Sequence, residues 1–68
     1  MTFPIERNIR AERVRCGLTQ REIARKLGLS ATGYNQKENG KRPFTLEEFV
    51  KICKILQANP DSLIKKSD

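Results

Sequence analysis

The apolar positions of this 68-residue chain recur at helical spacing in short segments, each opened by a capping residue or Pro and closed by Gly or Asn. Pro4 suits a first helical turn, after which Ile5, Ile9, Arg13 and Cys16 share a face as far as Gly17. Thr19 and Glu22 have the spacing of a capping box, Ile23, Ala24 and Leu27 form the stripe behind it, and Gly28 stops the helix in a left-handed conformation. Leu29 carries the apolar surface through a short turn, and Ser30 caps a second helix running to about Glu38, ended by Asn39 and Gly40. Thr45 with Glu48 repeats the capping box ahead of a helix whose core-facing residues are read as Leu46, Phe49, Val50, Ile52, Cys53 and Leu56. Asn59 and Pro60 open a last short helix bearing Leu63 and Ile64. With no repeat, low-complexity tract or linker, the pattern predicts one all-α domain over residues 1–68, a five-helix bundle with a helix-turn-helix at about 19–40.

The second helix of that pair divides into two unlike faces. At about 100° per residue, Ser30, Tyr34, Lys37 and Glu38 lie on one side, while Thr32 and Gln36, flanked by Ala31 and Asn35, lie on the other. The outer set is small and neutral-polar, which suits base edges: Gln and Asn bond bidentately to adenine, and a Thr or Ala methyl meets a thymine methyl. A solvated helix face would have the same composition. Arg13 lies on an apolar face, where an unpaired charge is costly, so it either pairs with Glu38 on the inner side of the second helix or snorkels to solvent.

Charge adds direction to this picture. Residues 1–43 carry ten Lys or Arg against four Glu, a net of +6, whereas residues 44–68 carry four basic and four acidic groups. The basic excess therefore lies with the helix pair, as a polyanion-facing surface requires. The chain has no His and no Cys cluster with metal-ligand spacing, and its length leaves little room for a cleft, which disfavours an enzyme or a metal or cofactor site. No cofactor, small-molecule substrate or membrane contact is expected, and with no signal-peptide pattern the expected location is the cytoplasm of a bacterial or phage-type system. Cys16 and Cys53 are accordingly read as reduced, small core residues.

The residues Arg13, Gly17, Leu18, Thr19, Gln20, Glu22, Ile23, Ala24, Leu27, Gly28, Ser30, Glu38, Asn39, Gly40 and Lys41, at these spacings, resemble the Cro/phage-repressor (XRE-type) helix-turn-helix family over about Ile9 to Leu63. That resemblance implies a bundle of the lambda-repressor-like DNA-binding type and a sequence-specific regulator, here a stand-alone Cro-like repressor, whose third helix enters the major groove of double-stranded DNA. It implies base contacts from Ala31, Thr32, Asn35 and Gln36, with Gln36 foremost in specificity. It also implies a phosphate contact from Gln20 and a partly buried Arg13–Glu38 ion pair. Asn39, Gly40, Lys41 and Arg42 form a loop whose backbone amides and cations suit adjacent phosphates, and Arg10, Arg21 and Arg25 are further electrostatic candidates. Proteins of this type bind two half-sites about 34 Å apart as dimers, and Phe44, Pro60, Leu63 and Ile64 are the candidate homodimer contacts, or else close the core. An antitoxin-type protein-interaction module is the alternative use of the same fold. Three residues depart from the family pattern: Gly33 within the recognition helix, Tyr34 in place of an aliphatic, and Lys37 where an apolar residue is usual. Lys37 must either pack its stem and release its amine or rotate the helix.

Overall fold

The computed structural model describes residues 5–64 as five helices: α1 (Ile5–Arg15), α2 (Gln20–Leu27), α3 (Ala31–Glu38), α4 (Leu46–Leu56) and α5 (Pro60–Ile64). No strand occurs among the described residues, and Pro4, assigned above to the first helical turn, lies outside them.

Local chemistry sets the boundaries. The Thr19 hydroxyl accepts from the Glu22 amide at 3.1 Å while the Glu22 carboxylate accepts from the Thr19 amide at 2.8 Å, so two orphan donors of α2 are met reciprocally. Gly28, at φ 76°, takes the left-handed cap position. The Leu29 amide reaches back to the Ala24 carbonyl at 2.8 Å, closing the helix in a Schellman arrangement. Only Gly28, Leu29 and Ser30 separate α2 from α3, and this short turn holds the two helices at a fixed angle. Ser30 accepts from the Gly33 amide at 3.0 Å, which places Gly33 in the first turn of α3. Thr45 and Glu48 form the second capping box. The end of α4 is made without glycine, by Gln57 in the left-handed region at φ 52°.

The core gathers Ile9 from α1, Ile23, Ala24 and Leu27 from α2, Tyr34 from α3, Ile52, Cys53 and Leu56 from α4 and Leu63 from α5. Leu18, Leu29, Phe44 and Phe49 pack around it, and the Phe44 ring meets Tyr34 at 5.9 Å in a tilted arrangement. Burying apolar surface from every helix at one centre is what fixes α2 and α3 on their scaffold.

Four residues lie elsewhere than their sequence pattern predicts. Leu46 and Val50, read as core, are 79% and 46% exposed, because Ile52, Cys53 and Leu56 define the inner stripe of α4. Cys16 is exposed rather than core: it lies past the end of α1 and its thiol donates to the Leu56 carbonyl at 3.7 Å. Cys53 is buried, and that burial raises its thiol pKa. Leu63, named as a dimer contact, is wholly buried in the core and unavailable to a partner. Of the other residues named with it, Phe44 and Ile64 are half-buried and Pro60 is exposed.

Candidate nucleic-acid interface

The interface is organised around one buried carboxylate, Glu38, at the inner end of α3. Arg13 from α1 grips it in a fork, Nε to Oε2 at 2.9 Å and Nη2 to Oε1 at 3.1 Å, while its Nη1 donates to the Leu18 carbonyl at 2.8 Å. The Tyr34 hydroxyl donates to Oε2 at 2.5 Å, and Gln20 Nε2 donates to Oε1 at 2.8 Å. Burial pushes the Glu38 pKa up, but the hydrogen bonds from Arg13, Tyr34 and Gln20 outweigh it and hold the carboxyl below its ordinary value. Burial, together with the adjacent carboxylate, drives the Tyr34 hydroxyl pKa upward, so it stays a donor. Tyr34 thereby finds the partner that its phenol requires.

Lys37 packs its stem but does not release its amine. Its side chain is buried and its ammonium stays inside, 2.6 Å from each oxygen of Glu48 on α4. Glu48 serves twice, since its carboxylate also accepts from the Thr45 amide at 2.9 Å. Burial raises the Glu48 pKa, and the Lys37 and Thr45 hydrogen bonds bring it net below the usual carboxylate value. The pair ties α3 to the start of α4. Its sequence signal was present but indirect: a lysine on the inner face of one helix and an acidic cap on the next.

The remaining site residues separate by what their side chains already hold. Ala31 and Thr32 are exposed, and Gln36 is half-buried. No hydrogen bond among the described residues uses the Thr32 or Gln36 side chain, so the outward strip of α3 is free. Asn35 is engaged at both ends: Nδ2 donates to Gln20 Oε1 at 3.0 Å and Oδ1 accepts from Asn39 Nδ2 at 3.1 Å. Asn39 Oδ1 in turn accepts from Arg10 Nη2 at 2.7 Å, and Arg10 Nε lies 3.5 Å from Glu38. Gln20, Asn35 and Asn39 therefore face one another, which periodicity alone did not reveal. Arg21, Arg25, Lys41 and Arg42 are exposed.

The loop after α3 departs from expectation in one respect. Its amides are taken internally: Asn39 N donates to Asn35 O, Gly40 N to Lys37 O, and both Lys41 N and Arg42 N to Gln36 O. Gly40 makes this tight closure at φ 80°. What the loop offers outward is its two cationic side chains, not backbone amides.

A short-turn helix pair, a polar outward strip and a cationic rim define a helix-turn-helix DNA-binding domain. Comparison with known proteins gives the family: the helix-turn-helix family model matches residues 9–63, and the chain belongs to this XRE-type helix-turn-helix family. Among solved structures it is similar to the restriction-modification controller protein C.AhdI from Aeromonas hydrophila. The likeness has 26% identity and a TM-score of 0.79, and covers 90% of this chain and 92% of that one. No curated protein matches. The family consists of DNA-binding regulators rather than enzymes, and this chain is a double-stranded DNA-binding transcription regulator. No helix among the described residues is long and apolar enough to cross a membrane, and no group of His, Cys, Asp or Glu there has metal-holding geometry.

Proposed function

We propose that this protein is a sequence-specific, Cro-like repressor that binds a two-half-site operator as a homodimer, placing α3 in the major groove. The observation that carries the reading is the unengaged strip of Ala31, Thr32 and Gln36 on a helix whose opposite side is locked to α1, α2 and α4. Gln36 has both a donor and an acceptor to offer an adenine edge, and the Ala31 and Thr32 methyls suit thymine. Lys41, Arg42, Arg21 and Arg10 supply phosphate contacts that position without specifying. The first-turn amides of α2 add an electropositive end to the same surface.

The dimer contact is assigned to the exposed apolar pair Leu46 and Val50, one turn apart on α4, with Pro60 and Ile64 as further candidates. Glu47 precedes Val50 and Lys51 and Lys54 follow it, so two antiparallel copies of α4 would set unlike charges opposite each other. The likeness to C.AhdI favours a second reading, a controller of restriction-modification genes.

Selection of bound sequences from a random DNA library at stated salt tests the proposal. An enriched site with two-fold symmetry and half-sites about one helical turn apart is expected, and the lack of any enriched sequence would refute it. Gln36→Ala should cost about 1–3 kcal/mol and relax preference at one base position, whereas Lys41→Ala should weaken all sequences alike and lower the salt slope by about one. A reporter promoter carrying the selected site tests the repressor assignment: output should fall as the protein is supplied, and a rise would overturn it.

A further inference from the structure

Four hydrogen bonds run one way from Arg10 through Asn39, Asn35 and Gln20 to Glu38, and an ion pair between the two ends closes the circuit. Arg10 donates to Asn39, Asn39 to Asn35, Asn35 to Gln20 and Gln20 to Glu38, and the Arg10 guanidinium also lies 3.5 Å from the Glu38 carboxylate as an ion pair. A guanidinium can only donate and an ionised carboxylate can only accept, so the two ends dictate the orientation of every amide between them. Flipping one amide would set oxygen against oxygen at one link and NH2 against NH2 at the next. Bonds aligned head to tail between a cation and an anion also polarise one another. The circuit joins α1 through Arg10, α2 through Gln20 and α3 through Asn35 and Glu38, and it passes the cap residue Asn39.

From this geometry we infer that Gln20, Asn35 and Asn39 are positioning residues that fix the roll of α3 against α1 and α2, leaving base discrimination to Ala31, Thr32 and Gln36. Asn35 then acts on discrimination through the roll of α3, and Gln20 holds the network with one N–H of its amide while the other stays available to a phosphate. A one-residue step around α3 is about 100°, so small changes of roll move all three reading residues together. The circuit thus controls discrimination at several base positions at once. The inference rests on the operator-binding reading proposed above.

The test uses the full chain with Asn35→Ala, the near-isosteric Asn35→Asp, which keeps the acceptor and loses the donor, Gln20→Ala, and the Asn35→Ala/Gln20→Ala pair. In the free protein, either Asn35 substitution should shift the side-chain NH2 resonances of both Gln20 and Asn39. On the library-selected sequence, each alanine variant should bind about tenfold more weakly, the equivalent of about one net hydrogen bond. Preference should fall at several base positions together, and the double variant should be little weaker than either single one. Relaxation at one base position by Asn35→Ala would overturn the inference, as would multiplicative losses approaching a hundredfold in the double variant. Unmoved Gln20 and Asn39 resonances in a folded Asn35→Asp protein would overturn it independently of DNA. Failure to enrich any sequence would instead strike the operator reading, and the resonances would still decide the circuit.

Discussion

Glu38 concentrates more of this molecule's organisation than any other residue, because α1, α2 and α3 all reach it. Its charge is sustained by partners, so its protonation is a stability event. The folded pKa lies below the ordinary value, which means the unfolded chain binds more protons as the solution is acidified. The stabilisation is complete above the ordinary glutamate pKa of about 4.3 and is lost as pH falls through the folded value. Thermal melts from pH 7 to pH 2 should therefore show a steep acid loss, and Glu38→Gln should start lower and lose less on acidification. An unchanged acid slope in Glu38→Gln would remove Glu38 as its source. Tyr34→Phe keeps the ring against Phe44 but deletes one donor to a buried carboxylate, and urea unfolding should register a loss of about 1.5–3 kcal/mol.

At the scale of elements, helix boundaries were the most legible part of the sequence. Thr19–Glu22, Ser30 and Thr45–Glu48 each write a start in local chemistry, and Gly28 writes a stop. The stop at Gln57 was not legible, since a left-handed glutamine has no marker in sequence. Nor was the exposure of Leu46 and Val50, because a wide apolar stripe does not reveal which edge the bundle leaves open. Of the site, Arg13 and Glu38 were readable as a charge on an apolar face and its counterpart. The amide circuit was not, because Asn and Gln suit a reading face and an inner link equally well. Lys37 and Glu48 show how a departure from family pattern is absorbed between two elements. Lys37→Met alone should cost about 1–3 kcal/mol by stranding a partly buried carboxylate. Lys37→Met with Glu48→Gln, which preserves the capping box, should recover most of that. A Lys37→Met melting temperature equal to that of the unsubstituted protein would show that the pair is energetically idle.

For the whole molecule, charge and apolar exposure divide the surface into functions. The basic excess falls in residues 1–43, so DNA affinity should drop linearly in log–log salt titration. Leu46→Glu with Val50→Glu should shift sedimentation toward monomer and weaken operator binding, while leaving the melting temperature of the monomer nearly unchanged, since both side chains are already exposed. A dimer persisting in that variant would place the interface elsewhere. The free outer strip of α3 has a last consequence, for how such a protein changes over time. The side chains whose hydrogen bonds join the helices, Arg13, Lys37, Glu38 and Glu48 among them, are separate from those of Ala31, Thr32 and Gln36, which make no hydrogen bond among the described residues. On the proposed operator reading, substitutions at those three positions change the sequence preferred while breaking none of the hydrogen bonds that join the helices, so a lineage could acquire a new operator without passing through an unstable intermediate.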